Sequence, residues 1–381
     1  MKKWPAWLPA CFVISAVLSA AVYLGSIAWE GGIQGFPLDD AWIHQTYARN
    51  LVREGQWSYV PGRPSTGSTA PLWTLLLTPA YLTGIDARLW TYLLGVVMLL
   101  LVAWLGRRLG GHLFGEDLPV GTAAALFCLF EWHLVWAAFS GMETLLFSAL
   151  VLLCLERYVA FEKHREAEWR DLSLELEEGA HKRGRPWLQG LWMGLAGGML
   201  VLTRPEGLVL LGLIAVAFLV KGRGHLSRWS LAWTLSSVFA CLVLLVPYAL
   251  FNLKQAGFVF PTTFYAKQAE YRAMIENLSL PVRFGRLLLA VWVGPQVLLI
   301  PGFLVSVVLS LRQRRPGVVL LWTWWLCNVA IYAFRLPVAY QHGRYLIPTV
   351  PVFVLLGVWG SWRLVRISCG WFVPRVLGRA W

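Results

Sequence analysis

Asp39 and Asp40 stand side by side in the run PLDDAWIHQTYARN, in a chain that has only 20 Asp and Glu among its 381 residues. Two adjacent carboxylates support two chemistries: one can act as a general base toward a hydroxyl, or the pair can offer hard oxygen ligands to a divalent cation. A plainer use stays open. Pro37 followed by two acids and a helical run to about Arg53 begins a helix well, with one Asp as cap and the other favoured by the helix dipole. A cap needs only one acid. His44, Tyr47, Arg49 and Asn50 follow in the same run.

Four more polar runs interrupt apolar sequence. They are SGMET at 140–144 with Glu143, TRPEG at 203–207 with Arg204 and Glu206, PTTFYAK at 261–267 with Tyr265 and Lys267, and HGRY at 342–345 with His342, Arg344 and Tyr345. Fixed cations such as Lys267, His342 and Arg344 suit a phosphate at a membrane surface, the arginine through paired donors. Interfacial snorkelling is their competing use. Glu143 and Glu206 can equally complement the dipole of a helix that starts beside them. Arg204 precedes Pro205, which marks a tight turn between two helices. Glu131 and His133 lie in an apolar stretch, where ionisable residues are functional candidates, and carry no assigned role.

The elements that must position these residues cross a membrane. Of the residues, 58% are hydrophobic and 14% charged, with a mean hydropathy of +0.59, far from the roughly 25% charged of a soluble domain. The 23 Trp and 12 Tyr suit interfacial belts. The fold class expected is all-α integral membrane, a single polytopic domain over 1–381. A crossing takes about 20 apolar residues, and the sequence offers ten, near 8–29, 88–106, 118–138, 143–160, 187–203, 205–220, 229–250, 286–311, 317–334 and 344–362. Residues 70–83 are too short and read as a juxtamembrane or re-entrant helix within a first loop of 30–87. The first apolar run is expected to be an uncleaved span rather than a signal peptide ending near Ser19 and Ala20.

The net charge of +13 is scattered between apolar stretches, which argues for topology and against nucleic acid. With Lys2 and Lys3 inside, the basic clusters at 107–108, 157–186, 221–228, 312–315 and 363–379 all become cytoplasmic, and both termini with them. Residues 161–186 read as a charged cytoplasmic loop or surface helix. Every unusual polar run then falls on the outer face. The six cysteines lie in or beside apolar segments with no metal or disulfide spacing, and no P-loop, HExxH or glycine fingerprint is present.

The first loop, LDDAWIHQTYARNLVREGQWSYVPGRPSTGSTAPLW at 38–73, resembles that of the GT-C superfamily of polytopic glycosyltransferases. It is most similar in look to the bacterial branch with arabinofuranosyltransferases and mannosyltransferase-like proteins. SGMET, LTRPEG, PTTFYAK and HGRYLIP are similar in kind and order, so the resemblance covers most of the chain. It implies outer juxtamembrane helices in the first loop and an inverting transfer of a hexosyl or pentosyl group from a polyprenyl-phosphate donor to a glycan or lipid acceptor of the cell envelope. It implies that Asp39 or Asp40 is the base and that His44, Tyr47, Glu143, Arg204, Glu206, Tyr265, Lys267, His342, Arg344 and Tyr345 bind substrate. No cofactor is required by that chemistry, although Asp39 and Asp40 leave a divalent cation open. Arabinofuranosyltransferases continue into a soluble outer domain, and none is expected here. A transporter or lipid-linked sugar flippase also needs many spans and ionisable residues, but places its site near the midplane. A catalytically inactive scaffold with the same fold is the third reading.

Overall fold

The computed structural model describes residues 7–32, 35–115, 119–174, 185–221 and 228–377. Lys2, Lys3 and residues 175–184 of the charged stretch lie outside them, as does most of the 221–228 turn. In chain order the helices are α1 (Trp7–Trp29), α2 (Asp39–Glu54), α3 (Pro71–Thr83), α4 (Ala87–Phe114), α5 (Val120–Phe130), α6 (Trp132–Phe139), α7 (Thr144–Leu174), α8 (Pro186–Thr203), α9 (Gly207–Lys221) and α10 (Arg228–Ala256). There follow α11 (Thr262–Glu270), α12 (Arg272–Asn277), α13 (Leu280–Val291), α14 (Ile300–Arg312), α15 (Pro316–Arg335), the short turn α16 (Tyr340–Gly343) and α17 (Val350–Leu377). A small hairpin pairs β1 (Ser58–Val60) with β2 (Arg63–Pro64).

Among the described residues, seven helical segments are long and apolar enough to cross a membrane, or eight if the bent pair α5 and α6 is one crossing. The expected crossings at 187–203 and 205–220 are the helices α8 and α9, of 18 and 15 residues. The sequence reading of about ten spans therefore exceeds the count of eight by these two helices, of which α9 is the shorter. Residues 70–83 form the short helix α3, begun by Pro71 and ended by Gly84 in the left-handed region.

Two expected crossings are not single rods. The stretch 118–138 bends by 54° where Glu131 leaves the helix and caps α6 through the Leu134 amide, 2.9 Å away. The stretch 286–311 breaks at Trp292 to Gly294. Gly294 takes φ of +104°, Pro295 brings no N–H to continue the ladder, and α13 is a separate amphipathic helix that buries Leu287 and Val291. Of the stretch 161–186 expected as a charged loop or surface helix, residues 161–174 are helical and continue α7.

Lipid tails are as apolar as leucine, so burial from water does not hold such helices together, and close backbone packing must. The helix α8 shows how. Gly190, Gly194 and Gly198 recur every fourth residue along the face toward α10, where a Cβ would come 2.1 Å from Ser236 Oγ, 2.1 Å from the Ser237 carbonyl and 2.8 Å from Leu244. The most buried apolar windows are those of α7 and of the segment Tyr340–Ser368 that contains most of α17, each 83% buried, whereas that of α10 is 6% buried and faces outward.

Candidate active site

The helix α2 starts after the extended Leu38 and stops at Gly55, which is left-handed and donates its amide to Leu51. Along it Asp40, His44 and Tyr47 are spaced by four and three residues and share one face, whereas Asp39 is turned about 100° away. Sequence neighbours are thereby separated. Asp39 is exposed and accepts the Asp40 amide at 2.9 Å. Asp40 points into a cavity of about 590 Å³.

That cavity collects residues from distant parts of the chain: Asp40 and His44 from α2, Glu143, Arg204 and Glu206 from the turns before α7 and α9, Lys267 from α11, and Arg344 and Tyr345 from the segment after α16. Asp40 Oδ2 accepts from Lys267 Nζ at 3.0 Å and from Arg344 Nη2 in a short hydrogen bond. Burial alone would raise the Asp40 carboxyl, but Lys267 and Arg344 outweigh it and hold it down to about 2. Burial likewise works against the Lys267 ammonium, which Tyr345 and Asp40 hold above its usual range.

A second ion pair lies behind the first. Arg204 Nε donates to Glu143 Oε1 at 2.6 Å, with both side chains almost fully buried. Burial raises Glu143, and the Arg204 guanidinium beside it more than offsets that, so this carboxylate is ionised. His44 Nε2 lies 3.6 Å from Glu143 Oε2, and its Nδ1 is 3.2 Å from both Ser68 Oγ and Thr74 Oγ1. Burial pushes this imidazole down, more than Glu143 and Asp40 lift it, which leaves it neutral at pH 7. Tyr345 joins the two pairs. The guanidinium groups of Arg344 and Arg204 and the Lys267 ammonium lie 4.9, 5.4 and 5.9 Å from its ring centroid, and its hydroxyl accepts from Arg344 Nη2 at 3.0 Å.

Backbone pairing fixes the height of Lys267. The Thr262 amide donates to the Thr66 carbonyl at 3.1 Å, and the Thr263 hydroxyl to the Gly67 carbonyl at 3.0 Å. Gly67 is in turn held by Tyr47, whose hydroxyl accepts the Gly67 amide at 2.8 Å. Tyr47 is thus a buried strut for the 65–69 loop and stays off the cavity wall.

Three other sequence candidates also lie off the wall. Tyr265 packs on Phe258 and Phe264. His342 is exposed, edge-on to Trp132 and Trp136. Asp39 is the third. The Glu131 and His133 pair, 2.7 Å apart, joins Gln296 and the Ala290 carbonyl in a buried network that braces the bend between α5 and α6. Conversely, Tyr332, Arg335 and Glu270 line the cavity without having been singled out in the sequence, because each sits at or near a helix end with no local motif to mark it. The two aspartates do not form one chelating pair: their side chains lie about 100° apart around α2, with Asp40 Oδ2 facing two cations and Asp39 Oδ1 facing a backbone amide.

No protein-family model matches this sequence, and no curated protein matches it at a significant level. Solved structures do match the fold. ArnT from Cupriavidus metallidurans, bound to undecaprenyl phosphate, superposes with a TM-score of 0.63 at 17% identity over 92% of this chain and 59% of its own. The Archaeoglobus fulgidus oligosaccharyltransferase in its apo form gives 0.58 at 13% identity over 100% and 52%. The archaeal oligosaccharyltransferase AglB from the same organism, in complex with an inhibitory peptide and a dolichol-phosphate, gives 0.57 at 14% identity over 99% and 52%. The fold is GT-C-like. This chain spans between half and three fifths of the length of those neighbours. Within the GT-C-like frame, the cavity sits where the first loop, α11 and the segment after α16 meet, at one end of the helix bundle.

Proposed function

We propose that the chain is an inverting glycosyltransferase that moves a sugar from a polyprenyl-phosphate donor to a hydroxyl of a glycan or lipid acceptor, on the non-cytoplasmic face of a cell membrane. The observation that carries this reading is Asp40, a cavity-facing carboxylate held against two cations at one end of a multi-pass bundle. A lipid-linked sugar presents its anomeric carbon at headgroup depth, beside a phosphate that gains negative charge as it departs. Lys267, Arg344 and Arg204 supply fixed positive charge to that leaving group. Asp40 takes the proton of the acceptor hydroxyl, the oxygen attacks the anomeric carbon from the opposite side, and the bonding pair of the glycosidic C–O bond leaves on the phosphate. Glu206, on the same wall, is placed for hydrogen bonds to sugar hydroxyls. Support for a lipid-phosphate ligand comes from ArnT and AglB, which share the fold and were captured with undecaprenyl phosphate and dolichol-phosphate respectively. The densely basic turns at the opposite helix ends support the outer placement.

The test is release of polyprenyl phosphate by the full chain in lipid nanodiscs, given a panel of polyprenyl-phosphate sugars and membrane-glycan acceptors. Asp40→Asn is expected to lower turnover by roughly 10²- to 10⁴-fold, the usual worth of a general base. Asp39→Asn is expected to stay within about threefold of wild type, because its carboxylate meets only a backbone amide and solvent. Equal activity in both variants would remove the base from this site.

A further inference from the structure

Resting on the proposed transfer, we infer that Asp40 and the donor phosphate compete for the same two cations, so that donor binding itself frees the base and its departure resets it. The geometry that points to this is an apparent conflict. Lys267 and Arg344 are the cations best placed for the leaving phosphate, yet both are spent on Asp40 Oδ2. A carboxylate locked in that way is too weak a base to take a hydroxyl proton.

The unpaired donors show where an anion enters. Arg344 Nε and Nη1 and Arg204 Nη1 are buried without a hydrogen-bond partner among the described residues, and buried guanidinium nitrogens left so are costly. Both arginines border the cavity and pack on the ring of Tyr345. A phosphate oxygen that takes these open donors also draws Arg344 Nη2 and Lys267 Nζ toward itself: the donor's phosphodiester presents two non-bridging oxygens to them, and the departing monoester, like the undecaprenyl phosphate probe, presents three. Asp40 then loses both partners while it remains in the cavity wall, and its affinity for a proton rises. After transfer the proton of the acceptor hydroxyl is on Asp40 and the C–O electron pair is on the polyprenyl phosphate. As that lipid leaves, Lys267 and Arg344 return to Asp40 and expel the proton to water. The consequence is an order: donor first, acceptor activated second.

Competition has a sign that a merely structural salt bridge does not. Removal of Asp40 must tighten the binding of undecaprenyl phosphate, a probe with no sugar to transfer. In nanodiscs, Asp40→Asn and Asp40→Ser are both expected to bind it at least about tenfold more tightly than wild type, since each deletes one competing charge-assisted contact set. Glu270→Gln removes a carboxylate from the same cavity without touching either cation, and Asp39→Asn removes the adjacent one. Each is expected to change affinity by less than about twofold. Unchanged or weaker binding in both Asp40 variants overturns the exchange, and so does equal tightening by Glu270→Gln, which would reduce the effect to overall charge. If neither the wild type nor the Asp40 variants bind the lipid phosphate, the proposed function falls and this inference with it.

Discussion

Removal of one partner from the ion pair between Glu143 and Arg204 should be among the most destabilising single changes in the site. At 2.6 Å and an effective dielectric of about 20, the gross attraction is about 6 kcal/mol, part of which offsets the desolvation of two side chains that are only 4–5% exposed. Deleting one charge forfeits the attraction but leaves the other charge buried. Arg204→Met strands Glu143 with only the neutral His44 nearby, and Glu143→Gln leaves the guanidinium against an uncharged amide. Each is expected to cost about 3–5 kcal/mol. The double variant buries neither charge and should cost at least about 2 kcal/mol less than the sum of the two singles. The assay is a double-mutant cycle on chemical denaturation in mixed micelles, followed by tryptophan fluorescence. Single variants within about 1 kcal/mol of wild type, or costs that simply add, would show that the pair is solvated in the folded protein and would refute the account of it as buried machinery.

Other outcomes follow from the same geometry. Asp40, with its folded pKa depressed to about 2 from an ordinary value of 3.8, stabilises the fold above pH 3.8 and loses that contribution as pH falls toward 2. The difference of about 1.8 units corresponds to roughly 2 kcal/mol, so acid titration of stability should show a limb in that window which is blunted in Asp40→Asn. Gly141 has φ of +77°, and a Cβ there would come 2.7 Å from both the Ala41 Cβ and the Phe36 ring, while its carbonyl accepts from Trp73. Gly141→Ala is expected to cost about 1–3 kcal/mol in the same denaturation assay and to lower turnover, because Ala41 adjoins Asp40. Tyr47→Phe should loosen the 65–69 loop, raising proteolytic cleavage there and weakening donor binding through the displaced Lys267 segment, with little change in the folding of the spans.

The five polar runs were legible in the sequence because ionisable residues are conspicuous in apolar surroundings, and the structure gathers a residue from each into one cavity. What the sequence could not separate was Asp39 from Asp40. That distinction depends on where the first turn of α2 begins, since a shift of one residue exchanges which carboxylate faces inward. Tyr47 and His342 share runs with cavity residues and carry the same polar signature, yet one holds a loop and the other rests on two tryptophans. The crossing assumed at 286–311 was apolar enough throughout, and only the backbone at Gly294 and Pro295 reveals the break. Tyr332 and Arg335 were hidden for the opposite reason: they close an otherwise unremarkable span, and only its packing beside Glu206 and Tyr345 gives them a place in the site.

The cavity's formal charges bear on how a single carboxylate would suffice for the proposed transfer. Asp40, Glu143, Glu206 and Glu270 face Lys267, Arg204, Arg335 and Arg344, and His44 is neutral, so the lining balances to zero. A donor phosphate upsets that balance by adding negative charge, and the glycosidic cleavage of the proposed reaction adds more as the leaving group departs. Protonation of a carboxylate inside the cavity compensates for that added charge. Asp40, released from Lys267 and Arg344 by that same phosphate, is then easier to neutralise than Glu143, which keeps its own buried arginine. In the proposed transfer the proton drawn from the acceptor therefore offsets the charge that develops on the phosphate, which would make base catalysis and leaving-group stabilisation two halves of one electrostatic exchange.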